Sequence, residues 1–307
     1  MKFFYCDDFV LPLPDDHRFP MRKYSRLRER ILTEGVATEA MMHVPDGVTD
    51  IDILRCHDAE YLHKVKHGFL TLKEVRRIGF PWSPELIVRS RHSTGGTLGA
   101  ARESLKSGTS MNLAGGTHHA CPDHGEGFCV FNDIAVSARA LQAEGLIRNA
   151  VVLDCDVHQG NGTAAICAND PTIFTLSIHG EKNFPFRKVA SDLDIGMDNG
   201  TGDDEYMQRL REGVAYALDH ADADIAFFLA GADPWEGDRL GKLSLSKAGL
   251  IERDRTVFEM CFERNIPVAV AMGGGYAPDV EDIADIHFNT ARTVAEMAQV
   301  WAEKTTV

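Results

Sequence analysis

The sequence predicts an α/β fold, a mostly parallel sheet with helices on both faces. Short β-type runs alternate with longer segments of helical periodicity, which is the order such a sheet requires. Several of those runs are apolar without interruption, as strands buried on both faces must be. Long irregular stretches at residues 114–130, 179–202 and 231–243 each follow a predicted strand. In open α/β sheets ligands bind beyond the carboxyl ends of strands, so these loops point at one shared site.

Candidate strands fall at residues 2–5, 110–113, 150–153, 173–177, 224–229 and 267–272. Ser83 offers an N-cap and Pro84 suits the first helical position, so a helix is expected from there to about residue 106, with Gly108 as its stop. A second helix spans 131–144 and ends at Gly145 in the same way. Residues 203–219 and 246–264 carry apolar side chains at helical spacing, Pro278 opens a last helical region, and 302–307 is a polar tail. No repeat, low-complexity stretch or Pro/Ser-rich linker divides the chain, so one catalytic domain is expected over residues 1–307.

Composition narrows the class. With 44% hydrophobic and 25% charged residues the chain reads as an ordinary soluble globular protein. No run is long and apolar enough for a membrane span. The N-terminus reaches Asp7 and Asp8 too early for a signal peptide and reads as a first strand. Seven cysteines, an odd number without any Cys-x-x-Cys pair, suggest free thiols and a reducing, cytoplasmic setting. Lys+Arg 32 against Asp+Glu 46 gives a net charge of −14, which repels phosphate backbones and argues against nucleic acid. Such a surface would attract cationic substrates such as lysine-rich segments or polyamines; simple solubility is the bland alternative.

Two strand ends carry the chemistry. Asp156 and His158 follow the apolar run 151–153, and Asp233 follows the run 227–229. Asp oxygen and His nitrogen both bind zinc, and three protein ligands leave a coordination position open, as catalytic sites require. The alternative is that Asp154 and Asp156 only cap turns. Asp154 sits at a buried strand end and needs compensation, which a monovalent cation shared with Ser177 would supply. Gly115 and Gly116 precede His118 and His119, two imidazoles able to act as base and acid; a pair of surface loop histidines is the alternative. Gly127 and Phe128 suit one wall of a narrow channel, or ordinary core packing. Gly273, Gly274 and Gly275 bring backbone close to the site and aim Tyr276 inward, where a phenol could hydrogen-bond a developing oxyanion. A phosphate cradle is the competing reading, but the triplet matches neither G-x-G-x-x-G nor a P-loop. Asn161 either orients a neighbouring histidine or forms an Asn-Gly turn.

Together these motifs resemble the zinc-dependent histone deacetylase superfamily. Gly115-Gly116-Thr117-His118-His119, Gly127-Phe128-Cys129 with Asn132-Asp133, Asp154-Cys155-Asp156-Val157-His158 through Gly162, Ala230-Gly231-Ala232-Asp233 and Gly273-Gly274-Gly275-Tyr276 occur in its order. His158-Gln159-Gly160-Asn161-Gly162, Gly202 to Tyr206, Trp235 to Gly241 and the early Asp16 to Tyr24 look most like the class IV branch and its bacterial relatives. The resemblance implies an arginase/deacetylase-type fold, three-layer α/β/α around a mainly parallel eight-stranded sheet. It implies zinc (with iron(II) possible) on Asp156, His158 and Asp233, His118 and His119 as the acid/base pair, and Tyr276 as the carbonyl-polarising group. Potassium would lie among Asp154, Asp156, His158, Ser177 and Ile178. Gly127, Phe128 and Gly274 would border the substrate, with Phe184 or Phe186 opposite Phe128, and Arg22 would line an internal cavity. Two departures accompany it: Asn161 stands where many members have aspartate, and Ile78 to Trp82 replaces a rim aspartate that grips substrate backbone. The implied activity is hydrolysis of an amide on an acyl-lysine-type amine. A small acetylated amine or polyamine is the alternative substrate, long-chain acyl removal a variant, and a non-catalytic acyl-lysine binder a rival of another class.

Overall fold

The computed structural model describes residues 1–14 and 17–305. Asp16 of the early motif and residues 306–307 of the polar tail lie outside the described residues. Eight strands form one sheet: β1 (Phe3–Phe4), β2 (Met42–His43), β3 (Thr109–Asn112), β4 (Ala150–Asp154), β5 (Ile173–Gly180), β6 (Leu193–Met197), β7 (Ile225–Gly231) and β8 (Val268–Gly273). Their order is β2-β1-β3-β8-β7-β4-β5-β6, and every pairing is parallel. Among the described residues ten α-helices accompany them: α1 (Arg22–Thr33), α2 (Asp50–Ile53), α3 (Ala59–His67), α4 (Leu72–Ile78), α5 (Pro84–Ser107), α6 (Asp133–Ala143), α7 (Asn161–Cys167), α8 (Asp203–Ala221), α9 (Lys247–Glu263) and α10 (Val280–Thr305).

The sheet is buried on both faces, and its strands show why they are apolar throughout. Along β7, Ala226, Phe228 and Ala230 pack on one side with Leu210 of α8 and Phe258 of α9. Ile225, Phe227 and Leu229 face the other way, against Leu98 of α5 and Ile134 of α6. The alternation follows from the two-residue period of a strand. Ser83 accepts the Leu86 N–H as the N-cap of α5, and Gly108 ends that helix at φ +81°.

The two-residue strand β2 lies where no strand is expected, and three longer regions also differ from the sequence reading. Residues 179–202 are not one loop: β5 runs on to Gly180, and β6 lies within the stretch. As an edge strand β6 alternates, with Ile195 and Met197 buried and Asp194 and Gly196 exposed. That pattern is diluted by acidic neighbours and lacks the continuous apolar signal of the central strands. Second, α1 is charge-rich yet amphipathic, burying Tyr24, Leu27 and Ile31. Third, residues 50–78 hold three short helices, of which α2 and α4 carry capping boxes from Thr49 and Thr71. Asn161 opens α7 rather than forming an isolated turn.

His57 ties this region to the loop after β3. Its Nε2 accepts the Asn132 N–H at 2.9 Å, which fixes Nδ1 as the donor to the Cys121 carbonyl at 2.9 Å. Burial pushes the imidazole down from 6.5 to about 4. The unfolded chain therefore takes up a proton between these values that the folded chain refuses, and stability falls as pH drops from 6.5 toward 4, by about 1.4 kcal/mol per unit. His57→Leu should lower stability at neutral pH by about 1–3 kcal/mol, because it strands a buried N–H and a carbonyl. Between pH 6.5 and 5 it should then lose roughly 2 kcal/mol less than the parent in urea unfolding. Parallel pH curves would remove His57 as the cause.

Candidate metal centre and catalytic groups

Strands β3, β8, β7, β4 and β5 are consecutive in the sheet, so their carboxyl ends deliver every candidate group to one edge. Past β4 the chain leaves the ladder after a last bond from Cys155 N–H to the Leu229 carbonyl, 3.1 Å. Asp156 and His158 follow at once, and Asp233 emerges from neighbouring β7. His158 Nδ1 lies 2.9 Å from Asp156 Oδ1 and 3.2 Å from Asp233 Oδ2. All three residues are buried, and their ligand atoms lie within 4.8 Å of one another. Asp233 Oδ1 accepts the Val157 N–H at 3.0 Å, whereas its buried Oδ2 has no hydrogen-bond partner. A buried carboxylate oxygen left open beside an imidazole and a second carboxylate fits a divalent cation.

The surroundings are built for this crowding. Gly274 sits at φ +60°, and a Cβ there would lie 2.2 Å from Asp233 Oδ2. Arg253 of α9, fully buried, donates to the carbonyls of Gly231 at 2.6 Å and Cys155 at 3.3 Å. It clamps the two strand ends that carry the ligands. Burial, and then the charge of Asp156, push the Asp233 carboxyl up. Burial opposes a proton on His158, but its bond to Asp156 and the nearby charge of the Asp233 carboxylate outweigh that and raise it to about 10. A metal must displace these protons, so binding depends on pH.

The loop after β3 places the histidines. Asp133, at the start of α6, accepts the Gly116 N–H at 3.0 Å and the Thr117 N–H at 2.8 Å. At Gly116, φ +65°, a Cβ would lie 2.5 Å from the Met272 carbonyl oxygen. The loop is thereby pinned between α6 and β8. His118 Nδ1 meets Asp154 Oδ2 at 2.7 Å, and His119 Nδ1 meets Asn161 Oδ1 at 2.7 Å; the rings are 4.1 Å apart. Burial works against charge on His118, but Asp154 and Asp156 overcome it and raise the group to about 9. His119 has no such carboxylate partner: burial, then the neighbouring His118 and His158, hold it well below its usual value. Two adjacent imidazoles are pushed apart, which is how one site acquires both an acid and a base.

Tyr276 stands across the site, its ring 6.4 Å from that of His158. Its backbone N–H donates to Asp238 Oδ2 at 2.6 Å. Burial raises the phenol well above its ordinary value, so it remains a hydrogen-bond donor. Arg22 requires a correction. It is exposed, and the next residue, a hundred degrees around the helix, turns inward instead. The buried Lys23 Nζ donates to the Gly274 carbonyl at 2.5 Å and lies 5.4 Å from the Tyr276 ring centre, with burial lowering it to about 8.

Gly127 and Phe128 border the mouth. Phe128 takes φ +66°, and its backbone N–H donates to the Ile78 carbonyl at 2.7 Å. At Gly127 a Cβ would lie 2.7 Å from the His119 ring. Phe184 packs edge-on against His119 at 4.9 Å and forms the facing wall, while Phe186 is 86% exposed further out. Leu240, Lys182 and Lys242 complete this mouth. Phe80 is not on the rim: it is buried behind Phe128, 5.2 Å between ring centres.

Asp154 stands opposite Ser177 in the β4–β5 register, with Ile178 next on β5. The oxygens expected around a monovalent cation are adjacent, although Ser177 Oγ lies 3.0 Å from His179 Nδ1. The bond from Asp154 to His118 has no local signal, since the two residues are 36 positions apart. The same holds for Arg253, Lys23 and Asp133, and for Glu126, which accepts from Asn161 Nδ2 at 2.5 Å and from Arg77 Nε at 2.8 Å. Cys121, His124 and Glu126 also cluster. There burial raises the Cys121 thiol to about 12, and Glu126 is committed to Arg77 and Asn161.

A parallel α/β sheet with a buried carboxylate–imidazole cluster and paired histidines at its carboxyl edge defines an arginase/deacetylase-type hydrolase. The sequence matches the histone deacetylase domain over residues 17–291, and the chain belongs to that family. It is 42% identical to an uncharacterised protein of Picosynechococcus sp. over 92% of this chain and 94% of that one. It is 29% identical to histone deacetylase 2 of Arabidopsis thaliana over 85% of this chain and 70% of that one. A histone deacetylase homologue from Aquifex aeolicus shares the fold at a TM-score of 0.80, with 22% identity, over 98% of this chain and 83% of that one.

The donor set predicts one tight divalent site. Metal-stripped protein titrated with zinc in a calorimeter should bind one equivalent and release protons, more of them at pH 6 than at pH 8. Asp156→Asn and Asp233→Asn should each weaken binding at least a hundredfold while the protein stays folded. Unchanged affinity in both variants would show that the ion binds elsewhere.

Proposed function

We propose that the chain is a single-domain, zinc-dependent deacylase that hydrolyses the amide of an acyl-lysine-type amine. The observation that carries this is the joint presence of Asp156, His158 and Asp233 with two differently partnered histidines and an inward phenol around one opening. A binding protein has no need of the complete set. Bound at the three ligands, a divalent ion supplies Lewis acidity toward the acyl carbonyl and makes water more acidic; iron(II) suits the same donors. One histidine accepts the proton of the attacking water and the other delivers a proton to the departing amine. Tyr276 donates to the oxyanion, its position set by Asp238 on its backbone and Lys23 on the preceding glycines. Phe128 and Phe184 exclude water from the stem of the substrate. Asp154 holds His118, and with Ser177 and Ile178 it offers oxygens to a potassium ion.

The mouth distinguishes the candidate substrates. Its lining holds Lys182 and Lys242 with Phe184, Phe186 and Leu240, and no carboxylate among the described residues. Despite a net charge of −14 the entrance itself is cationic. An acetylated polyamine carries further positive charge through that mouth and is repelled, whereas an acyl-lysine side chain reaches the site on an uncharged stem. The Asn161 departure and the His158 to Gly162 motif support the class IV likeness. Among the described residues no helix is long and apolar enough to cross a membrane. Seven buried free thiols suit a reducing cytoplasm.

Metal-loaded protein should cleave acyl-lysine peptides faster than acetylpolyamines, measured as kcat/KM on a panel that includes acetyl and myristoyl groups. Tyr276→Phe should lower kcat about 10²- to 10³-fold with little change in KM. Absence of turnover on every member of the panel, together with tight binding of the acyl-lysine peptides, would make the protein a binder and sink the hydrolase reading.

A further inference from the structure

The His119 side chain does not end at Asn161. Asn161 Nδ2 donates to Glu126 Oε1 at 2.5 Å, and Glu126 Oε2 accepts from Arg77 Nε at 2.8 Å. Glu126 is buried, Arg77 reaches solvent, and the segment between them is fixed by backbone. The Gly127 N–H donates to the Arg77 carbonyl at 3.1 Å, and the Cys129 N–H to the Glu126 carbonyl at 2.9 Å. A row of four side chains thus runs from the end of α4 to the catalytic edge.

The row has a direction. An ionised carboxylate only accepts, and a guanidinium only donates. Held by Arg77, Glu126 requires the NH₂ end of the Asn161 amide. The other end, Oδ1, must then face His119. An amide oxygen cannot donate, so His119 Nδ1 must carry the hydrogen, and Nε2 is left with a free lone pair. This orientation follows from the partners and not from the placement of the amide atoms. His118 differs because Asp154 can accept from it whether the ring is neutral or charged.

Building on the deacylase reading, we propose that Glu126 is a positioning residue that makes His119 the general base of the pair, by fixing the Asn161 amide and through it the His119 tautomer. An asparagine has two faces, and by itself it would present oxygen or NH₂ to the imidazole. Where a carboxylate partner would need no help, asparagine here needs Glu126 to choose its face. His118, over Asp154, is left to deliver the proton to the amine.

The substitution that tests this is Glu126→Gln. Arg77 claims the oxygen of the new amide, so its NH₂ faces Asn161. Asn161 then turns its own oxygen outward and its NH₂ toward His119, which moves the ring hydrogen to Nε2. In nitrogen-15 spectra of the zinc-loaded protein without substrate, His119 should carry its hydrogen on Nδ1 in the parent and on Nε2 in E126Q. The kcat of E126Q should fall about 10- to 100-fold with KM little changed. Adding N161D should return Nδ1–H and most of the lost kcat, because a carboxylate accepts from His119 whatever lies behind it. Thermal unfolding of both variants separates a collapsed fold from a moved proton, and the double variant keeps the test alive if E126Q alone is unstable. The proposal is overturned if E126Q keeps the parent tautomer, or if E126Q/N161D stays as slow as E126Q. The spectra need no turnover, so they decide the relay even if the deacylase reading fails.

Discussion

Everything at this site depends on bringing two carboxylates and an imidazole to one buried point. Asp156 and Asp233 repel each other, and burial makes the repulsion worse. Protein alone compensates only partly: the Val157 N–H satisfies one oxygen of Asp233 and leaves the other open. Such an arrangement persists because its parts are held from outside the site. Arg253 clamps the carbonyls of Cys155 and Gly231, and Gly274 yields the space a Cβ would fill. The parallel sheet underneath sets β4 beside β7, so neither strand end can drift from the other.

The groups proposed for acid/base and oxyanion roles follow from the same geometry. Adjacent strands β3 and β8 deliver the histidine loop and Tyr276 to the edge where the ligands converge. The two histidines differ in what stands behind them. Asp154 is ionic support from within β4, whereas Asn161 is neutral support from α7 and is itself held by Glu126. One pair of identical residues thereby receives opposite proton affinities, and the chemistry of amide hydrolysis needs both.

How much of this was legible in the sequence depends on range. The central strands were visible because continuous burial writes itself as continuous apolarity, as in residues 225–229. The helix from Pro84 was visible because its cap and its stop are local. Edge strand β6 and the charge-rich α1 were not, since half-buried elements share their pattern with polar loops. The side chains proposed as ligands and acid/base groups were legible as motifs in order, and the sheet brings them to one edge. Their supports were not: Arg253, Lys23, Asp133 and Glu126 act on partners far away in sequence, and no spacing announces them. Arg22 shows the limit in miniature. A cation was expected in the interior near that position, and the turn of the helix supplies Lys23 instead.

In the proposed enzyme the three strand-end side chains hold one ion with an open face toward Tyr276. Anomalous diffraction at the zinc edge, on crystals grown with one equivalent of zinc, tests it most directly. A single strong peak is expected among Asp156, His158 and Asp233, with no fourth protein ligand and solvent on the side of Tyr276 and Phe128. A peak closed off by a fourth side chain, or one at Cys121 and His124 with none at Asp233, would contradict it.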